Sequence, residues 1–118
     1  MKRFQHQVAN WMYACFGTEI TADKKERNHR FLEEALELVQ SRGCTKEEAQ
    51  MLVEYVFARP VGQEEQELGG VMLTLAALAN TSELELLQSG QKELIRCWNK
   101  IDKIRQKQAT KPQGPLPQ

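Results

Sequence analysis

Apolar positions along this chain recur at helical intervals almost throughout. Phe4, Val8, Trp11, Met12 and Cys15 follow i, i+4, i+7, i+8, i+11 spacing, which predicts a first amphipathic helix stopping near Gly17. Thr21 or Thr18 caps a second helix that runs to about Arg42, with Gly43 as its stop. Thr45-Lys46-Glu47-Glu48 has the capping-box pattern and starts a third helix. That helix turns Ala49, Leu52, Val53, Val56 and Phe57 inward and ends before Arg59-Pro60. Val61-Gly62 turns the chain into a fourth helix, from about Gln63 to Asn80. Ser82-Glu83-Leu84-Glu85 repeats the capping pattern and opens a short helix broken at Ser89-Gly90. A last helix, from about Gln91 to Gln108, rests on Leu94, Ile95, Trp98, Ile101 and Ile104. Residues 109–118 combine turn formers with no periodicity and read as a disordered tail rich in proline and glutamine. No strand alternation or internal repeat is evident, so the expected class is an all-α helical bundle over residues 1–108.

Composition narrows this picture. With 118 residues the chain is one domain, large enough for a core but helped by self-association. The fourth helix is apolar around most of its girth, Leu73 lying opposite its main face, which points to a homodimer or higher symmetric oligomer. The formal net charge is zero, so the positive excess that drives non-specific nucleic-acid binding is missing overall and no nucleic-acid partner is expected. Cys15, Cys44 and Cys97 are widely spaced and form no zinc pattern with His6 and His29, which reads as reduced thiols in a cytoplasmic protein. No signal peptide is expected, because the N-terminus leads straight into an amphipathic segment. The longest apolar run, Leu68 to Ala79, falls short of the about 20 residues that span a bilayer.

Candidate chemistry lies in two acidic clusters. On the second helix Glu33, Glu34 and Glu37 occupy the face opposite Phe31, Leu32, Ala35, Leu36, Leu38 and Val39. Alone, this is an ordinary solvated face, and Arg30 is placed to form a surface salt bridge with Glu34 or Glu37. On the fourth helix Glu67 shares the wheel position of Val71, Thr74 and Leu78, close to the centre of the apolar face. A buried carboxylate needs a partner, either an arginine or a metal ion. Glu34 and Glu37, one turn apart, supply the remaining oxygens for a hard cation such as Mg²⁺. The plainer alternative places Glu67 in the first helical turn, favoured by the positive helix end and still wetted.

Glu33-Glu34-x-x-Glu37 followed by Glu67-Leu68-Gly69-Gly70-Val71-Met72-Leu73-Thr74-Leu75-Ala76-Ala77-Leu78-Ala79 resembles the all-α nucleoside triphosphate pyrophosphohydrolases of the MazG and dCTP pyrophosphatase type. Their signature is EExxE on one helix and ExxD on another. The resemblance spans roughly residues 4 to 106. It implies a MazG-like helical bundle, with helices 2 and 4 facing across an acidic site, that assembles as a homodimer or homotetramer. It also implies Mg²⁺-dependent cleavage of a nucleoside triphosphate to monophosphate and pyrophosphate. Glu34, Glu37 and Glu67 would be the metal ligands, and Glu33 the catalytic group that orients or deprotonates water. Gly70 stands where the family has the aspartate of ExxD, and Glu64, Asp102, Glu33 or water would have to take its place. Arg30, Lys100 and Lys103 are candidate phosphate-binding residues, and Trp11 is a candidate for holding the base. The alternative is a non-catalytic MazG-like helical dimer, acting as a nucleotide-binding regulatory or interaction module; Gly70 is the feature that favours it. Neither the histidines nor the cysteines form a nucleophilic arrangement, and Gly69-Gly70 lacks the spacing and lysine of a P-loop.

Overall fold

A computed structural model describes residues 2–110. It is all-helical: α1 (Lys2–Ala22), α2 (Lys24–Ser41), α3 (Lys46–Phe57), α4 (Glu64–Thr81), α5 (Leu86–Asn99) and α6 (Ile101–Thr110) follow one another, with no strand among the described residues. No helix among these residues is long and apolar enough to cross a membrane. The expected tail begins at 109, but residues 109 and 110 close α6, and 111–118 lie outside the described residues. The helices separate into two units. One joins the residues up to Phe31 with those from Glu85 onward; the other is Leu32–Leu84. α2 passes from the first into the second.

In the first unit α1, α5 and α6 pack on one another, burying Met12 and Cys15. Gly17 breaks α1 at φ 77°, ψ −177°, a left-handed φ that favours glycine. The break interrupts the i→i+4 ladder and releases carbonyls of the preceding turn. One of them, Ala14 C=O, accepts from Arg105 of α6, with Nε at 3.1 Å. α2 starts later than Thr18 or Thr21 would set it. Asp23 is the capping residue: its Oδ1 accepts from Glu26 N–H at 3.2 Å and its carbonyl from Arg27 N–H at 3.0 Å.

The C-terminal helices also differ from expectation. Ser82-Glu83-Leu84-Glu85 does not open a helix; Glu85 is the N-cap of α5 and its side chain accepts from Gln88 N–H. Ser89-Gly90 does not break α5 either. A Cβ at Gly90 would stand 2.9 Å from Phe4 Cζ, so the glycine admits an aromatic ring rather than a turn. The break falls at Lys100, between α5 and α6.

The second unit contains two turns of the same design. After α2, Gly43 (φ 92°) donates to Gln40 C=O at 3.1 Å and Cys44 N–H to Val39 C=O at 2.9 Å. After α4, Glu83 (φ 54°) donates to Asn80 C=O at 3.3 Å and Leu84 N–H to Ala79 C=O at 3.1 Å. Both are Schellman closures, with the left-handed residue just past the helix end. Glycine takes that position without steric cost; Glu83 does not. Thr45 then caps α3 in a complete capping box with Glu48, at 3.1 and 2.8 Å. Arg42 ties the two turns together through the hydroxyls of Thr81, at 2.5 Å, and Ser82. No helix pair in this unit packs as closely as α1, α5 and α6 do, and Ala79 is its one buried hydrophobic side chain.

Candidate functional site

The sequence-predicted residues divide between the units. Glu33, Glu34, Glu37 and Glu67 belong to the second, and Trp11, Arg30, Lys100 and Lys103 to the first. α2 turns Glu34 and Glu37 to exposed positions and leaves Glu33 half-buried. Glu37 lines a groove between α2 and α3 whose apolar walls include Leu36, Val39, Ala49 and Val53.

Glu67 is exposed, which corrects the expectation of a carboxylate buried in an apolar face. Of the residues sharing its wheel position, Val71 and Leu78 are half-buried further along α4 and Thr74 is exposed. In the first turn nothing covers that face, and the favourable helix N-terminus is reason enough for an acid there. Burial therefore supplies no argument for a partner. The side chain nonetheless has a defined place. It folds back over the α3–α4 turn, so that a Cβ on Gly62 would stand 3.0 Å from Glu67 Oε2. With Val56, Phe57, Arg59 and Pro60 it lines a cleft at that turn, different from the groove of Glu37. Among the described residues no three His, Cys, Asp or Glu side chains gather closely enough to hold a metal ion. The donors are chemically suited to Mg²⁺, being carboxylate oxygens, but one chain does not bring them around one ion.

Gly70, where the resemblance expects an acid, faces open space: a Cβ there meets nothing within 4 Å. Thr74 Oγ1 donates to the Gly70 carbonyl at 2.9 Å, so the hydroxyl is turned back on its own helix.

In the first unit Arg30 is half-buried and its Nε lies 3.2 Å from Glu26 Oε1, so Glu26 is a partner that the pairing with Glu34 or Glu37 did not foresee. Lys100 and Lys103 are exposed, Lys100 at the α5–α6 junction. Trp11 is half-buried and meets Phe16 edge to face, the ring centroids 5.8 Å apart. Arg27 lies over the Phe16 ring at 5.8 Å, and its Nη1 reaches Met12 Sδ at 3.7 Å. This contact makes Trp11 a packing residue. Trp11 Nε1 and Arg27 Nε are buried without a hydrogen-bond partner, as is Thr21 Oγ1 near the end of α1. Burial lowers the pKa of Arg27, and Glu26 opposes the shift. Sequence analysis did not single out Arg27. Its spacing was informative, since 27, 31 and 35 form one i, i+4 line on the apolar side of α2.

Cys15 and Cys97 are held toward the thiol form. Burial raises the pKa of Cys15, and burial with the neighbouring Glu93 carboxylate raises that of Cys97. Comparison with protein families, with curated proteins and with solved structures gave no match for this chain.

Proposed function

We propose that this chain is a Mg²⁺-dependent nucleotide pyrophosphohydrolase of the MazG-like kind, cleaving a nucleoside triphosphate to monophosphate and pyrophosphate. The observation that carries the reading is the pairing of Glu33-Glu34-x-x-Glu37 on α2 with Glu67 at the head of the apolar helix α4, in an all-helical chain. Glu34, Glu37 and Glu67 would hold the ion, which supplies charge neutralisation at the triphosphate and a more acidic water. Glu33 is the group that orients or deprotonates that water. Arg30, Lys100 and Lys103 would meet phosphate oxygens, and Trp11 the base. The reading requires the three carboxylates to meet, an arrangement that a single chain leaves unformed. It therefore goes with a homodimer or homotetramer as the working form.

The test is pyrophosphate release from a panel of ribo- and deoxynucleoside triphosphates, with and without Mg²⁺, alongside calorimetry of Mg²⁺ binding. Glu67→Ala should abolish metal-dependent release while keeping the helix, because alanine is a good helix former. Gly70→Asp fits without a clash and should raise activity or tighten Mg²⁺ binding if the missing acid limits the site. If the wild type neither binds Mg²⁺ nor hydrolyses any nucleotide, and Gly70→Asp rescues neither, the enzyme reading fails. The second reading, a non-catalytic helical dimer serving as a nucleotide-binding regulatory or interaction module, would replace it. Gly70 is the residue that favours that reading.

A further inference from the structure

The zero net charge that argues against a nucleic-acid partner is the sum of two unlike units. Residues 1–31 and 85–118 hold thirteen of the sixteen lysines and arginines but six of the sixteen carboxylates, an excess of seven positive charges. Exposed charges more than about 10 Å apart are largely screened at ordinary salt, so a partner meets the local charge and not the overall balance. Most acids of this unit are also engaged within it. Asp23 and Glu85 cap α2 and α5, Glu26 lies against Arg30, and Glu93 holds Arg96. Lys24, Lys25, Lys92 and Lys103 are exposed and form no ion pair among the described residues.

Within this unit the outward side of α5 gathers the groups that a nucleic acid meets. On a wheel of about 100° per residue, Leu86, Leu87, Gly90, Leu94 and Cys97 share the inner side, and none of them is exposed. The other side runs from Trp98 through Ile95, Asn99 and Lys92 to Arg96, with Gln91 and Gln88 between them, and all of these are exposed. The one carboxylate of α5, Glu93, stands at the edge beyond Arg96 and is taken up by that guanidinium. Ile95 and Trp98, which periodicity places inward, are 61% and 41% exposed. An indole open to water is a platform on which bases of any sequence stack. Amides, lysine and arginine donate to phosphates and base edges.

We propose that the outward side of α5 binds single-stranded nucleic acid, with phosphates along Lys92 and Arg96 and bases turned across Asn99 and Ile95 onto Trp98. Lys100, one turn on from Arg96 at the helix end, continues the phosphate line. The strand has to be unpaired, because stacking on Trp98 needs an open base face. A duplex offers the same charge without that face. An anionic bilayer also offers the charge, but Gln88, Gln91 and Asn99 have no place against its acyl chains.

The inference does not rest on the pyrophosphohydrolase reading: binding is measured in EDTA, without the Mg²⁺ that hydrolysis needs, so either can fail alone. Fluorescence anisotropy of a labelled oligothymidylate, about 20 nucleotides long to cover one site, should show saturable binding by the full chain. The Kd should rise about 10–20-fold between about 50 and about 200 mM NaCl, the slope of about three neutralised phosphates. Lys92→Glu should weaken binding about tenfold or more and flatten that slope. Trp98→Ala should weaken it about tenfold, and Trp98→Phe should keep most of the affinity, since a phenyl ring still stacks. Lys46→Glu makes the same charge change at an exposed position of the second unit, and should shift the Kd less than about twofold. If a variant loses helical circular dichroism, tryptophan emission of the unaltered protein decides, because a base stacked on Trp98 quenches it. No binding at about 100 µM protein would overturn the proposal. So would unquenched emission at saturation, a duplex bound as tightly as the single strand, or an affinity indifferent to Trp98→Ala in its folded form. Equal damage from Lys46→Glu and Lys92→Glu, or capture by phosphatidylserine vesicles without capture of the oligonucleotide, would overturn it as well.

Discussion

The two units handle apolar surface in opposite ways. Around α1, α5 and α6 the chain encloses what it can: Met12 and Cys15 are buried, Phe4 reaches over Gly90, and Arg105 takes up a carbonyl that the Gly17 break released. From Leu32 to Leu84 the helices are formed with care at their ends but not at their sides. The capping box at Thr45, two Schellman turns and the Arg42 clamp satisfy terminal groups, yet Leu52, Phe57 and Leu73 remain in water. Helix-end chemistry is local and fixes where a helix starts and stops. The fate of a helix flank depends on whatever packs against it. The second unit shows the first kind of specification without the second.

The sharpest test of this contrast pairs two truncations. Met12→Ala removes a side chain already buried within one chain, and should cost about 2–3 kcal/mol in chemical denaturation. That loss should be the same at any protein concentration. Leu52→Ala removes a side chain that a lone chain leaves exposed, so it should cost under about 0.5 kcal/mol in a dilute monomer. At concentrations where copies associate, its cost should approach that of Met12→Ala. Equal, concentration-independent losses for the two variants would erase the distinction between the units.

Next in size are the two Schellman turns, which act as a matched pair. Gly43→Ala puts a Cβ on a residue at φ 92° and should destabilise by about 1 kcal/mol. Glu83→Gly relieves a non-glycine residue at φ 54° and should stabilise by up to about 1 kcal/mol. Both effects should appear in thermal or denaturant melts. A loss of stability in Glu83→Gly would mean that the Glu83 side chain, not its backbone, sustains the turn.

Gly62→Ala has a smaller effect on stability but bears directly on the candidate site. The new methyl meets Glu67 Oε2 at 3.0 Å, and the flexible carboxylate can move aside at a cost of well under about 1 kcal/mol. If Glu67 is a metal ligand, Mg²⁺ affinity and nucleotide hydrolysis should fall about tenfold while the melting curve barely shifts. A variant with unchanged Mg²⁺ binding and hydrolysis would separate the position of Glu67 from function.

Local chemistry also marks how far the sequence could be read. The Gly43 stop and the Thr45–Glu48 box belong to residues a few places apart, and the structure has both. The start of α2 was misread because Thr18, Thr21 and Asp23 all have capping side chains, and the choice is made by where Gly17 redirects the backbone. The expected break at Ser89-Gly90 failed for a tertiary reason, the Phe4 ring passing over Gly90. The junction at Lys100 bears no glycine or proline to announce it. For the candidate site, spacing placed Glu67 with Val71, Thr74 and Leu78, of which Val71 and Leu78 are half-buried and Thr74 is exposed, but a wheel carries no information on how far a neighbouring helix extends along that face. Glu37 and Glu67 line different clefts, a matter of tertiary packing beyond any periodicity in one chain.

The smallest expected effect concerns the first unit and its pH response. Arg96 Nε donates to Glu93 Oε1 at 2.9 Å and Nη2 to Oε2 at 2.5 Å, one turn apart on α5. The guanidinium holds the Glu93 carboxyl below the usual glutamate range, its hydrogen bonds being the main cause. A carboxyl whose pKa is lower folded than unfolded adds stability where it is ionised in both states. That contribution is complete above the unfolded value of about 4.3 and fades as pH falls through the lower folded value. The pair is more than half exposed, so solvent screening limits it to about 0.5 kcal/mol or less. Glu93→Gln should therefore lower stability slightly at pH 7, and the gap to wild type should close in acid. Added salt should narrow the same gap at neutral pH. Melts of Glu93→Gln and wild type across pH and NaCl, at a concentration that keeps the chain monomeric, isolate the intrachain pair. Cys97 Sγ also donates to Glu93 Oε2, at 3.6 Å, so the ionised carboxylate is the acceptor for both neighbours. A gap that widens as pH falls would show that Glu93 stabilises α5 through its protonated form instead of through Arg96.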